Sequence, residues 1–193
     1  LHQETLEPVF KRGVPVNIKN TNNPDAPGTM ITPTRNNLLS PVAGIAGDKG
    51  FCSLNINKYM MNREVGFGRK VLQILEEECI PFEHMPSGID DISIILRKSE
   101  LDDEKKSRIM ERIAKELNVD SVSFEYDLGL VMVVGEGMKR TVGITHRIAK
   151  ALARNDVNIR MINQGSSEVS TMFGVSEDDV DKAIVSIYDE FFR

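Results

Sequence analysis

The sequence is poor in the residues that many function classes need. Its 193 residues include no tryptophan, three tyrosines, two cysteines and three histidines. The scarcity of aromatic rings and the net charge of −5 argue against nucleic acid as a partner, because such binding needs a basic surface and stacking side chains. No apolar run of about 18 residues occurs, so we expect no membrane span. The two cysteines lack metal-ligand spacing, and we expect reduced, partly buried thiols in a cytoplasmic protein.

Catalytic and metal-binding patterns are also missing from the sequence. It has no G-x-x-x-x-G-K-[ST] phosphate loop and no H-E-x-x-H pattern. Gly135-Glu136-Gly137 lacks the third glycine of a dinucleotide fingerprint, and we interpret it as a strand end and turn. The chain starts without methionine or a signal-peptide pattern, so we expect a fragment of a longer protein. No catalytic residue, metal site or cofactor is therefore expected in this chain itself.

What the sequence does contain is an internal repeat. After a shift of 77 positions, residues 65–67 align with 142–144 and residues 92–93 align with 169–170, without a gap. Each copy has a glycine turn, an amphipathic stretch, an apolar strand, a glycine-containing loop and a second apolar strand. A repeat of this size predicts two copies of one small module.

Hydrophobic periodicity predicts helices that alternate with pairs of strands. The predicted helices are 4–12, 67–79, 103–117, 142–154 and 177–190. The predicted strands are 14–18, 29–31, 41–46, 51–57, 82–86, 91–97, 121–126, 129–134, 157–162 and 168–174. Asp102 and Ser176 are expected to cap the helices that follow them. The pattern indicates an α+β fold of two ferredoxin-like β-α-β-β-α-β modules, with the strand near 41–46 shared so that one module is inserted in the other.

The strand-to-helix turn of the first copy is the best candidate for a binding site. Gly66 and Gly68 allow a close backbone approach, and the first turn of a helix suits a carboxylate. Glu83 and Asp90, in the segment expected to face this turn, offer carboxylates for an ammonium group. An amino-acid pocket is one interpretation, and ordinary packing with exposed acids is the other. Arg160 stands in the second copy where Glu83 stands in the first, so the copies are not expected to bind one ligand equally.

Several segments resemble the aspartate kinases. Residues 18–29 (IKNTNNPDAPGT) resemble the segment that closes their catalytic domain, and residues 162–170 (INQGSSEVS) resemble their second regulatory ACT module. The turn at 61–67 and the Ser87-Gly88 loop resemble those of monofunctional, lysine-responsive members. The resemblance runs over essentially the whole chain. It implies a remnant of the amino-acid-kinase α/β domain at 1–31, a first ACT module at 38–117 and a second at 118–193. The polar residues 32–37, which include Pro33, are predicted as the linker between the remnant and the first module.

The resemblance also implies a function. It points to the regulatory region of an enzyme that phosphorylates the β-carboxylate of aspartate with ATP and Mg²⁺, dimerises through its ACT modules and is inhibited by lysine, threonine or both. The effector contacts that it implies are Met61, Glu64, Gly66, Phe67, Glu83, Ser87, Gly88 and Asp90. Lys19, Asn20 and Thr21 are implied on the nucleotide side of the catalytic domain. An ACT pair that only assembles the enzyme is the alternative.

Overall fold

The computed structural model describes residues 3–32 and 40–193, with side chains from residue 6 onward. By its internal contacts the chain divides into two compact units, residues 1–39 and 40–193. The predicted linker at 32–37 lies outside the described residues from position 33 onward.

The first unit is a helix followed by a short hairpin. Helix α1 spans Gln3–Lys11 and is followed by Gly13, whose φ is 65°. Strands β1 (Val16–Ile18) and β2 (Thr29–Ile31) pair antiparallel. Strand β1 is shorter than the predicted 14–18, because Pro15 has no N–H to donate to a partner strand.

In the described residues 40–193, the second unit forms a five-stranded sheet with four helices. Its elements in chain order are β3 (Gly44–Asn57), α2 (Phe67–Glu77), β4 (Asp91–Arg97), α3 (Asp103–Leu117), β5 (Ser121–Val134), α4 (Ile144–Arg154), β6 (Met161–Gln164), β7 (Ser170–Ser176) and α5 (Val180–Phe192). The strand order is β4-β3-β5-β7-β6, and all neighbours are antiparallel. The predicted α+β class is confirmed.

Two long strands replace four predicted short ones. The sequence predicts separate strands at 41–46, 51–57, 121–126 and 129–134. Instead, β3 and β5 each run through 14 residues, and their pairing register shifts at Phe51. Gly50 and Asp127, beside this shift, have φ angles of 88° and 62°. A β-bulge of this kind kinks a strand without ending it, so turn-type residues at these positions give a misleading signal for a break.

The four helices pack on one face of the sheet in two separate cores. The first core joins β3 and β4 to α2 and α3, with buried Leu54, Ile56, Ile74, Leu75, Ile94, Ile109 and Ile113. The second core joins β5 and β7 to α4 and α5, with buried Val131, Val133, Ile148, Leu152, Phe173 and Ile187. A smaller cluster on the opposite face contains Phe51, Ile95, Leu128 and Leu130. We call the parts around the two cores the first half and the second half; the insertion of one module in the other stays a prediction.

The sequence repeat is visible in these elements. Helices α2 and α4 begin 77 residues apart, at Phe67 and Ile144, and each has 11 residues. Strands β4 and β7 instead begin 79 residues apart, at Asp91 and Ser170. The loop before β7 therefore contains two extra residues, and the ungapped alignment is wrong by two positions at Ile92.

Two predicted strands are corrected. In the described chain, residues 82–86 form no strand and connect to β4 through isolated bridges at His84 and Ser87. Pro81 and Pro86 lack the N–H groups that a continuous ladder requires. The predicted strand at 157–162 is replaced by the later β6. Its first apolar residues, Val157 and Ile159, pack into the second core instead of entering the sheet.

One predicted helix cap is confirmed and one is wrong. The carboxylate of Asp102 accepts a hydrogen bond from the backbone N–H of Lys105 at 2.7 Å, as expected for an N-cap. The hydroxyl of Ser176 instead donates to the carboxylate of Asp127 at 2.8 Å, and α5 begins only at Val180, after a short 3₁₀ turn. Ser176 thus stabilises the bulge of β5 rather than a helix.

The two cysteines differ in environment. Cys52 is fully buried, and burial raises the pKa of its thiol to about 11. Cys79 is exposed, which contradicts the predicted partial burial. Helix α2 ends at Glu77, so Cys79 lies beyond its apolar face, in a left-handed conformation with φ of 56°.

Candidate functional site

A compact turn connects β3 to α2, and we call residues 58–67 the first turn. Met60 has φ of 57°, a 3₁₀ turn follows at Met61–Arg63, and Gly66 precedes α2 with φ of 79°. No side chain caps the start of this helix. The N–H of Phe67 donates to the carbonyl of Glu64 at 3.2 Å. The next N–H groups, those of Gly68 and Arg69, have no partner within the helix and can face a negatively charged group.

Backbone contacts hold Asp90 beside the first turn. The N–H of Met60 donates to the carboxylate of Asp90 at 2.7 Å, and the N–H of Lys58 donates to the Asp90 carbonyl at 2.8 Å. The N–H of Asn62 donates to the carbonyl of Ile89 at 3.0 Å. Asp90 remains exposed on its outer side. One exposed carboxylate is therefore fixed beside the first turn.

Glu64 is occupied by two lysines. Its carboxylate forms ion pairs with Lys58 and with Lys70, each at 2.7 Å. The hydrogen bond from Lys58, followed by that from Lys70, holds the pKa of Glu64 below its ordinary value. Glu64 is therefore a structural carboxylate here, and it offers little to a cation from outside.

Glu83 lies in a different ion pair, away from the first turn. Its carboxylate is 3.0 Å from Nε of Arg97, whose guanidinium also pairs with Asp48 at 2.7 Å. The same guanidinium lies 4.6 Å from the ring centre of Phe51. Glu83 therefore does not face the first turn as expected. Its carboxylate instead joins an ion-pair network that connects Arg97 on β4 to Asp48 on β3.

Met61 and Phe67 support the first turn from beneath. Both are buried, at 6% and 3% exposure, and both belong to the first core. The ammonium of Lys58 lies 5.4 Å from the ring centre of Phe67. These two side chains can fix the shape of the turn, but they present little surface to a ligand.

Ser87 and Gly88 line a separate groove on the sheet face that carries no helices. This groove has a volume of about 620 Å³ and extends to Ser53 on β3 and to Arg160. A Cβ atom on Gly88 would lie 2.3 Å from the carboxylate of Asp91, so a side chain there would require the Asp91 side chain to move. The structure therefore separates the eight predicted effector contacts into three places: the first turn with the adjacent Asp90 (Met61, Glu64, Gly66, Phe67, Asp90), the groove (Ser87, Gly88) and the Arg97 ion pair (Glu83).

Comparisons with known proteins agree with this architecture. The ACT domain family matches residues 131–191. Aspartokinase 3 of Bacillus subtilis is 56% identical over 191 residues, which are 99% of this chain and 42% of that protein. The crystal structure of Clostridium acetobutylicum aspartate kinase superposes with a TM-score of 0.92 at 46% identity, over 99% of this chain and 44% of that one. This chain is an aspartokinase regulatory region.

A more distant structure shares the fold alone. It is aspartokinase III of E. coli in complex with lysine and aspartate, in the T-state, with a TM-score of 0.77 and 23% identity over 100% of this chain and 42% of that one. The chain thus spans less than half the length of the Bacillus and Clostridium relatives.

The regulatory region has a second turn that is equivalent to the first but carries different chemistry. Gly143 precedes α4 with φ of 85°, matching Gly66. Thr141 replaces Glu64, and its hydroxyl donates to the carbonyl of Gly137 at 2.8 Å. Arg160 replaces Glu83; its guanidinium pairs with the carboxylate of Glu125 and the carbonyl of Asp127. The second turn therefore lacks the lysine-bound carboxylate of the first.

The residues assigned to the nucleotide side lie in the first unit. Lys19, Asn20 and Thr21 follow β1 and are exposed. The side-chain oxygen of Asn20 accepts the N–H of Asn22 at 2.9 Å, and Asn20 also bridges to Asn23. Asn20 thus shapes its own loop, and the contact of these residues with a nucleotide stays a prediction.

Lys58 and Lys70 are the residues around the first turn that sequence reasoning missed. A basic residue on either side of Glu64 was the available signal, but neither position belongs to a recognisable motif.

Within residues 3–32 and 40–193, no group of three or more His, Cys, Asp and Glu side chains could hold a metal ion. None of the described helices has the length and apolar character needed to cross a bilayer.

Proposed function

We propose that this chain is the amino-acid-sensing part of a cytoplasmic aspartate kinase in lysine and threonine biosynthesis. The whole enzyme would transfer the γ-phosphoryl group of ATP, with Mg²⁺, to the β-carboxylate of aspartate, giving 4-phospho-L-aspartate and ADP. The names of its relatives support this activity. In this proposal residues 1–31 close the catalytic domain, 32–37 form the linker, and 38–117 and 118–193 form the ACT modules.

The effector that we propose is lysine, threonine or both, bound at the first turn. The single observation that supports this site is the hydrogen bond of the Asp90 carboxylate to the N–H of Met60, in the turn that leads to an uncapped helix start. The N–H groups at the start of α2 would take the effector's carboxylate, and Asp90 would take its ammonium group. Glu64 and Glu83 already hold cations, so we assign them supporting roles.

Inhibition would follow from unequal binding to two states. An effector shifts an equilibrium only by the difference in its affinity for the two states, and couplings of about 1–3 kcal/mol are typical.

The second candidate function is assembly of a homodimer without an effector. Strand β6 supports it, since it is a short edge strand with Ile162 49% exposed, and such an edge can pair with another chain. An effector and a dimer are compatible, so the two candidates differ only in whether an amino acid binds.

Calorimetric titration with lysine, with threonine and with each in the presence of the other tests the proposal. We expect binding near one ligand per chain, and Asp90→Asn should weaken it by about tenfold or more. Asp120→Asn is the matched control, because Asp120 accepts the neighbouring N–H of Tyr59 at 2.6 Å from another segment. If the folded chain binds neither amino acid, the sensing function is wrong and assembly of a dimer is the remaining candidate. If Asp90→Asn and Asp120→Asn lose affinity equally, Asp90 is not part of the binding site.

A further inference from the structure

Lys58, the first residue of the first turn, contacts several residues that are distant from it in the sequence. Its ammonium donates to the carbonyl of Leu117 at 2.5 Å and pairs with Glu64 at 2.7 Å. The same ammonium lies over the ring of Phe67, and the backbone N–H of Lys58 donates to Asp90. One residue therefore touches three of the positions that we place in the effector site.

Lys58 is the more buried of the two lysines that contact Glu64. Its side chain is only 18% exposed, less than that of Lys70, at 40%. Leu117 is the last residue of α3, where unpaired carbonyls favour a positive charge. Lys58 thus joins the first turn to the end of α3, whereas Lys70 contacts Glu64 from the helix that the turn itself begins.

The second turn cannot reproduce this arrangement. Gly135 occupies the position equivalent to Lys58, one repeat of 77 residues later. A Cβ atom on Gly135 would lie 2.1 Å from the carbonyl oxygen of Pro41 and 2.8 Å from Cα of Val42. Backbone therefore fills the space that a lysine side chain would need, and no side chain can extend from this position.

We propose that Lys58 is a positioning residue for the first turn, and that its presence there makes the first of the two turns the one that binds an amino acid. The inference rests on the proposed function for the identity of the ligand. By holding Glu64, Phe67 and the end of α3 together, Lys58 keeps the start of α2 in the shape that receives a carboxylate. The bound ligand belongs to the class of free α-amino acids.

Three variants test this role in the intact chain. Lys58→Met removes the charge and keeps the apolar stem, Lys58→Arg keeps the charge, and Lys70→Met removes the other lysine of Glu64. Titration with lysine and threonine should show affinity at least about tenfold weaker in Lys58→Met, partial recovery in Lys58→Arg, and a change within about twofold in Lys70→Met. Equal affinities in Lys58→Met and Lys70→Met, or no recovery in Lys58→Arg, would overturn the proposal.

Amide hydrogen exchange without ligand separates this inference from the proposed function. The N–H groups of Glu64 and Phe67 are hydrogen-bonded within the first turn, to Met61 and Glu64 respectively. Their exchange should accelerate about tenfold in Lys58→Met and stay close to wild type in Lys70→Met. If wild type binds neither amino acid, the proposed function fails, while this comparison still supports or overturns the positioning role of Lys58.

Discussion

Lys98 and Glu177 occupy equivalent positions in the two halves of the repeat, and they form an ion pair with each other. Each is the first residue after its strand, since β4 ends at Arg97 and β7 ends at Ser176. The equivalent long strands β3 and β5 pair antiparallel, so an approximate two-fold axis relates the halves. In a dimer of identical subunits, equivalent residues facing each other across the axis would carry the same charge. Within one chain the copies can differ, and opposite charges can meet.

Reversing one charge of this pair should destabilise the second unit. Lys98→Glu would place two carboxylates together, and we expect the melting temperature to fall by about 2–4 °C. The double variant Lys98→Glu, Glu177→Lys should recover most of that loss. Thermal unfolding followed by circular dichroism, at low and at high salt, measures both effects. If the double variant is no more stable than the single one, the pair contributes nothing to stability.

The bulges of the two long strands depend on residues with positive φ. Gly50→Ala should cost about 1–2 kcal/mol of unfolding free energy, because an L residue in this conformation is strained. No atom lies within 4 Å of a Cβ placed on Gly50, so the cost is conformational rather than steric. Gly44→Ala, where the new Cβ would make an ordinary 3.5 Å contact with Val134, is the control and should change stability little. Denaturant unfolding compares the two, and equal values would contradict strain at Gly50.

Helices were largely predictable from the sequence, because local spacing decides them. The apolar spacing and the cap at Asp102 place α3 correctly, and α2 begins where the repeat predicts. Strand pairing was less predictable, because it depends on distant partners. Gly50 and Asp127 have the composition of a turn, and only the pairing of β3 with β5 makes them bulges.

The candidate site was only partly predictable for the same reason. Gly66 and Asp90 followed from the turn pattern and from the resemblance, which are local signals. Lys58 did not, since its contact with Leu117 joins residues 59 positions apart. The ion pair of Glu83 with Arg97 also depends on the course of a non-strand segment beside β4, which the repeat alone does not specify.

Cys79 provides a test of the end of α2. Its φ of 56° is the conformation that favours glycine after a helix, and its thiol is exposed. Cys79→Gly should therefore stabilise the chain by about 1 kcal/mol, whereas Cys79→Ala keeps the strain and should bring no gain. Asp156, at the equivalent place after α4 with φ of 49°, should respond in the same way to glycine. Chemical denaturation of the three variants against wild type checks this, and a destabilised Cys79→Gly would contradict it.

The ion pairs of Glu64 predict a specific pH dependence of stability. Hydrogen bonds from Lys58 and Lys70 lower the pKa of Glu64 below its ordinary 4.5, so the folded chain binds this proton more weakly than the unfolded chain does. The stabilisation is complete above that ordinary value and is lost as the pH falls through the folded pKa. Wild type should therefore be more stable than Glu64→Gln at neutral pH, and the difference should shrink progressively below pH 4.5. Urea unfolding of both proteins across this range measures the difference. A gap that stays constant down to the acid limit would mean that Glu64 stabilises the turn through packing rather than charge.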